Sequence, residues 1–239
     1  MTPLTPEVTK SITDELRRAH IVIPRLSTDR VAQDLHDIVA PTRTSLIRYS
    51  LSCAPEYLYL TTINDRPCVV HLRNGLAFRV LHRFCPTLCT GRGTLLEGYY
   101  CDPARAGNSV FLITDILLHR GASTDNQPFG DRLRLINRIL DEQYRHDPVL
   151  SEYRVTLIDY VQLQYLASLL KDHAPKQTYR RFINGIVIVP TGAHCTRTIV
   201  PTTIIKGHQT KAGKSRPHPA PKREQVHEPV IPNIMGFRL

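Results

Sequence analysis

The sequence contains no tryptophan and no lysine anywhere between Lys10 and Lys171. Nor does it hold an apolar run approaching the roughly 18 residues that a membrane-spanning helix needs, so such a helix is not expected. Met1 to His20 mixes acidic with basic side chains and lacks an apolar signal-peptide core. The expectation is an intracellular protein, with nucleus and cytoplasm not distinguished. The missing lysines remove every side-chain amine nucleophile from the middle of the chain, and arginine cannot substitute because its guanidinium stays protonated. Without tryptophan, any stacking on a ligand falls to tyrosine and phenylalanine.

What the sequence does have is length for one sizeable core, with 239 residues and 41% hydrophobic content. Six cysteines at irregular spacing do not make the dense framework of a small secreted scaffold, so reduced thiols are expected. His82, Cys85, Cys89 and Cys101 are close enough in sequence to raise zinc. They lack the paired C-x-x-C spacing, and small buried cysteines on strands are the preferred reading. The net charge of +10 points to an acidic partner such as nucleic acid. The charge is concentrated in residues 206–239, where seven Lys or Arg stand against two Glu.

The chain opens on helical periodicity, with Pro6 suited to a first turn and Val8, Ile12 and Leu16 on one face. A second short helix is expected from Ser27 or Thr28 as N-cap, through Val31, Leu35 and Ile38, to Pro41. From Tyr57 the pattern becomes β-rich: YLYLTT, CVVHL, LAFRVL, TLLEGYY and SVFLITDILL. Asn74-Gly75 predicts a tight hairpin, since both residues tolerate positive φ. Phe129 to His146 reads as an amphipathic helix with Arg132, Arg134 and Arg138 on a solvated face. RVTLID is expected as a strand, DYVQLQYLASLLKDH as a helix, and GIVIVP as a buried strand. Past Lys206, prolines, glycines and scattered basic residues predict a disordered tail. The more apolar IPNIMGFRL ends it, either frayed or docked as a short peptide.

Several segments, in order, resemble the mRNA capping guanylyltransferases, members with DNA and RNA ligases of the covalent nucleotidyltransferase superfamily. APTRTSL at 40–46 resembles the entry to the first catalytic strand. LHR at 81–83 resembles the motif whose arginine contacts the nucleotide sugar. TLLEGYY at 94–100 is similar to T-L-L-D-G-E, and FLITDILLHRG at 111–121 to L-I-F-D-I-L. NGIVIVPTG at 184–192 resembles D-G-L-I-F-x-P-T-G, and IVPTTIIKG at 199–207 the last strand of the domain. The resemblance implies an α+β fold of the capping enzyme and DNA ligase type, mostly antiparallel sheets flanked by helices. A helical segment over 1–39 would pack on a guanylyltransferase-like domain over 40–206, and a basic Pro-rich tail would span 207–239. The OB-type domain of full-length capping enzymes is not expected in this chain.

In that family a lysine in K-x-D-G-x-R attacks the α-phosphate of GTP, as an amine of lowered pKa. The corresponding stretch here begins at Thr62, and no shift of register restores a lysine. The family's metal- and sugar-contacting glutamate falls at Tyr99, a motif aspartate at Asn184, and the base-stacking aromatic at Thr114. Loss of carboxylates removes the hard oxygen ligands that magnesium requires. Arg83, Glu97, Asp115 and Lys206 are kept. As a remnant nucleotide pocket, Thr62, Arg83, Glu97, Tyr99, Asp115, Asn184 and Lys206 would meet; alternatively Glu97 and Asp115 make buried structural hydrogen bonds and the cations are solvated. No catalytic residue, metal or resident cofactor is expected, with GTP or an mRNA cap as the ligand the pocket would take. A cap-binding form would need two aromatic faces, for which Tyr99, Tyr100 and Phe111 are the candidates.

The resemblance and the charge together imply a catalytically silent binding module for RNA, cap or nucleotide, or a subunit of an RNA-processing or transcription assembly. Lys211, Lys214, Arg216, Lys222 and Arg223 would supply phosphate contacts. Expected partners are RNA or another nucleic acid and proteins of a larger assembly, not a membrane. The alternatives are a scaffold subunit of a viral particle or ribonucleoprotein, and a divergent active guanylyltransferase using Lys206.

Overall fold

The computed structural model describes residues 1–18, 30–31, 45–102, 109–166, 182–192 and 197–201. The tail, Lys206, the 40–44 entry segment and most of the helix expected after Thr28 lie outside these residues. The strands are β1 (Thr2–Pro3), β2 (Arg30–Val31), β3 (Leu46–Leu51), β4 (Glu56–Ile63), β5 (Arg66–Arg73), β6 (Leu76–Val80), β7 (Arg83–Phe84), β8 (Thr94–Cys101), β9 (Val110–His119), β10 (Ala122–Ser123), β11 (Tyr144–Arg145), β12 (Arg154–Leu157), β13 (Val161–Gln162), β14 (Ile183–Val189) and β15 (Thr198–Pro201). The helices are α1 (Pro6–Arg18) and α2 (Phe129–Arg138). An eight-stranded sheet runs β1-β6-β5-β4-β8-β9-β10, with β12 parallel to β9, and a five-stranded sheet runs β13-β3-β14-β15-β2. The structure is thus rich in mostly antiparallel sheet and carries few helices.

Local sequence accounts for much of the large sheet. β4 and β5 turn at Asn64-Asp65, and β5 and β6 at Asn74-Gly75; all four residues have positive φ. Two-residue loops with both φ values positive match the twist of the strands they join. α1 starts at Pro6, with Glu7 in the first turn and Arg17 and Arg18 in the last, each complementing the helix dipole. Its buried Ile12 and Leu16 pack with Tyr57, Tyr59, Val70, Leu72 and Leu95 on one face of the large sheet. Each such aliphatic side chain contributes about 1.5–3 kcal/mol on burial.

The other face carries the main core. Leu58, Leu60, Leu96, Phe111, Ile113 and Ile116 meet α2 through Phe129, Leu133 and Ile136, and meet the small sheet through Val187 and Val189. The alternate β14 residues Ile186 and Ile188 join Ile47 and Val200 on the opposite face. This explains why GIVIVP is apolar at every step: β14 is covered on both sides. α2 has no side-chain cap; the N–H of Phe129 donates instead to the Thr191 carbonyl at 3.0 Å. The segment after β14 therefore fixes where α2 begins.

Buried polar groups in the core are paired in one place and orphaned in another. Fully buried His71 bonds through Nε2 to Glu56 Oε2 at 2.6 Å and through Nδ1 to the Tyr153 hydroxyl at 3.0 Å. His82, whose ring lies 4.5 Å from that of Tyr153, has no hydrogen-bond partner on either nitrogen among the described residues.

Three sequence expectations are corrected. The helix expected to His146 ends as α2 at Arg138 and passes through a π-turn over Ile139–Gln143; Tyr144 and Arg145 then leave it to pair with Phe84 and Arg83. DYVQLQYLASLLKDH does not begin as a helix, because Val161 and Gln162 pair with Ile47 and Leu46 before a 3-10 turn at Leu163–Tyr165. Its remainder lies outside the described residues. Val31, expected on a helix, is in β2, parallel to β15. In each case a strand partner distant in sequence overrides a local helical period.

Candidate functional site

β8 and β9 bring two carboxylates side by side. Glu97 and Asp115 are cross-strand partners, and the register shifts between Glu97 and Gly98. Gly98 permits that irregularity, since a Cβ there would lie 2.4 Å from both the Leu112 carbonyl oxygen and Phe111 Cε1. Both carboxylates are buried, and both are claimed by arginines. Arg197, just before β15, donates from Nη1 to Glu97 Oε1 at 2.5 Å and from Nη2 to Asp115 Oδ2 at 2.7 Å. Arg132 of α2 grips Asp115 with both ends of its fork, Nε to Oδ1 at 2.8 Å and Nη2 to Oδ2 at 3.0 Å. The Ile116 N–H adds a bond to Oδ1 at 2.8 Å. One guanidinium from each side thus ties α2 and the small sheet to the large one.

Thr114 and Tyr160 complete the polar shell. The Thr114 hydroxyl lies 3.2 Å from Glu97 Oε1, and the Tyr160 hydroxyl donates to the Thr114 carbonyl at 2.8 Å. Burial alone would raise the Glu97 carboxyl, but Arg197, Arg48 and Thr114 outweigh it and hold the group below its ordinary range. Burial pushes the Asp115 carboxyl up against the pull of Arg197 and Arg132. Burial also pushes the Tyr160 hydroxyl up to about 12.

A third guanidinium enters from β3. Arg48 is 1% exposed, lies opposite Val187 of β14, and places Cζ 5.4 Å from the centre of the Tyr99 ring. Its Nη1 donates to the Tyr49 carbonyl at 2.9 Å. Its Nε and Nη2 have no acceptor among the described residues.

Of the residues expected at a remnant pocket, Glu97, Tyr99 and Asp115 belong to this cluster, as does Thr114. Thr62 does not: it is exposed at the end of β4, with its hydroxyl on the Cys89 carbonyl at 3.3 Å. It lies five residues beyond Tyr57, the partner of Glu97, a distance of roughly 17 Å at strand rise. Arg83 is exposed on β7 and pairs with Asp147 at 3.1 Å. Asn184 is exposed on β14, at the irregularity in its pairing with β3. Lys206, Lys211, Lys214, Arg216, Lys222 and Arg223 lie outside the described residues.

The aromatic candidates separate as well. Tyr99 faces Arg48, whereas Tyr100 and Phe111 pack edge-on against His71 within the main core. They form no two-faced slot, because successive residues of β8 point to opposite sides. Among the described residues no group of three or more His, Cys, Asp or Glu side chains is placed to hold a metal ion. Nor is any helix among them long and apolar enough to cross a membrane. A groove of about 500 Å³ does exist, but it lies between α1 and β6, lined by Lys10, Asp14, Arg17 and Leu76. In sheet order it is three strands from β8.

Sequence reading missed Arg48 and Arg197 and placed Arg132 on a solvated face. Arg132 is instead held by Asp115 and stacked 5.2 Å from the Phe129 ring. The available signal was a charge inside an apolar strand run: Arg48 stands between Ile47 and Tyr49.

No family model matches the chain, and no curated protein matches it. Solved structures do match, among them a mutant RNA ligase of Naegleria gruberi in its apo form. The identity is 14% over 77% of this chain, with a TM-score of 0.39. The chain spans 58% of that ligase. So loose a superposition leaves the functional reading to the side-chain geometry.

Proposed function

We propose that this chain is a catalytically inactive, guanylyltransferase-like domain that binds RNA. The observation that carries the reading is the commitment of Glu97 and Asp115 to Arg197 and Arg132. Magnesium needs carboxylate oxygens with free lone pairs in near-octahedral array, and here guanidinium N–H groups are bonded to Glu97 Oε1 and to both oxygens of Asp115. The absence of any lysine between Lys10 and Lys171 points the same way, since the superfamily's chemistry begins at a lysine amine. Binding then falls to the basic side chains, above all those of residues 206–239, in a protein of net charge +10.

Two measurements test this. Incubation with labelled GTP and magnesium followed by denaturing electrophoresis should leave the protein unlabelled; a covalent adduct would establish an active enzyme. Single-stranded RNA should bind with log K falling linearly in log salt, by about 0.7 per phosphate neutralised. Removal of 207–239 should weaken the binding and flatten that dependence. Uniformly absent binding of RNA, cap analogue and GTP would favour the scaffold role.

A further inference from the structure

We propose that the Nε–Nη2 edge of Arg48 is an oxyanion site that receives two oxygens of a phosphate group. This deepens the RNA-binding reading, on which it rests for its natural ligand, by naming the chemical group taken up between the two sheets.

The first argument is geometric. Nε and Nη2 share one edge of the planar guanidinium and present parallel N–H bonds, the fork that fits carboxylate and phosphate. In Arg48 it is these two nitrogens that lack an acceptor among the described residues, while Nη1 is satisfied by the Tyr49 carbonyl. The residue is 1% exposed, so bulk solvent is held away from the free edge. Charged donors left unmade in such a place are among the most costly of buried groups.

The second argument is the charge count. Among the described residues, Glu97 and Asp115 are paired with Arg132 and Arg197, while the buried Arg48 has no ion pair to a carboxylate. Arg132 and Arg197 are bonded to the carboxylates, and among the described residues no carboxylate oxygen is bonded to Arg48. A desolvated excess positive charge calls for one more anion. The Tyr99 ring lies 5.4 Å from the Arg48 Cζ and supplies an electron-rich face but no formal charge. The charge of +10 favours capture of phosphate-bearing polyanions over small neutral ligands. Because Arg48 is enclosed, an anion enters only when the sheets part, and once bound it holds them closed. Its signature is therefore a gain in stability.

The test uses the full chain and three proteins: wild type, Arg48→Met and Arg48→Lys. Thermal unfolding is followed in inorganic phosphate and in acetate at equal ionic strength. The wild-type midpoint should rise on the order of 3 °C in phosphate relative to acetate. Arg48→Met should lose that difference, and Arg48→Lys, which keeps the charge without the fork, should show a smaller one. Equal response to acetate and phosphate, or an undiminished phosphate response in Arg48→Met, overturns the assignment. Should Arg48→Met fail to fold, Arg48→Lys decides: full retention of the wild-type difference sinks the proposal. A second arm compares RNA bearing a 5′ phosphate with RNA bearing a 5′ hydroxyl. The wild type should prefer the former, and the Arg48 variants should lose the preference while keeping salt-dependent affinity. If no RNA binds, the functional reading fails, while the phosphate-dependent midpoint still tests Arg48.

Discussion

Arg197 and Asp115 are 82 residues apart in sequence, yet Nη2 of the first lies 2.7 Å from Oδ2 of the second, across the boundary between the two sheets. The same guanidinium holds Glu97. Arg197→Met should therefore destabilise the protein by about 3–5 kcal/mol, the range for stranding a buried charge partner. Most of that loss reflects carboxylates left without a cation. Adding Glu97→Gln and Asp115→Asn to Arg197→Met should recover part of it. Urea denaturation of the three proteins checks this, and a loss under about 1 kcal/mol would place the tie among the weak surface pairs.

His82 predicts an acid sensitivity. Burial, reinforced by His71 and His146, lowers its imidazole from an ordinary 6.5 to about 4. The unfolded chain thus takes up a proton near pH 6.5 that the folded protein refuses until about pH 4. The contribution to stability is fully present above pH 6.5 and declines as pH falls through this window. His119, also lowered by burial, acts in the same direction. His82→Phe should flatten the decline between pH 7 and pH 5 measured by chemical denaturation. A decline as steep as wild type would assign it elsewhere. Glu97 does not confuse the reading, because its carboxyl is held below 4.5 and loses its contribution only at still lower pH.

Gly98→Ala should cost about 1–3 kcal/mol, the usual range for overpacking. The added methyl would meet backbone oxygen and a fully buried ring, neither of which can swing away. Thermal unfolding measures the loss. Gly130→Ala is the control: nothing lies within 4 Å of its Cβ position, and a helical site should gain stability from alanine. Equal effects would mean that β8 and β9 can spread at the irregularity.

What the sequence made legible was local. Asn74-Gly75 carries its turn in its own conformational preferences, as the φ values of 51° and 77° show. Asn64-Asp65 makes the same kind of turn at 50° and 60°, but without a glycine it carries a weaker turn signal. Phe129 to Arg138 declared its helix by period. Val161 and Gln162 could not declare a strand, because their partners Ile47 and Leu46 are more than a hundred residues earlier. The site divides the same way. Glu97 and Asp115 were visible from the strands that carry them, but Arg197 lies between short patterned stretches and acquires its role only when β15 docks beside β14. Arg132 read as solvated because its helical face is polar; what removes it from solvent is a carboxylate on another element.

The proposed inactivity supports one more prediction, because the absence of a lysine at position 62 would not by itself account for it. If the absent nucleophile were the sole defect, Thr62→Lys would restore labelling by GTP and magnesium. Thr62, however, stands exposed at the end of β4, roughly 17 Å along the strand from the residue opposite Glu97. The carboxylates that would support a metal are bound to guanidiniums. An amine in an exposed position also keeps its ordinary basicity and remains protonated at neutral pH, a poor nucleophile. Thr62→Lys should therefore give no adduct, and Thr62→Lys with Arg197→Ala should give none either, since Arg132 still holds Asp115. An adduct in the first variant would mean that only the lysine had been lost. An adduct in the second alone would mean that Arg197 is the plug of an otherwise competent site.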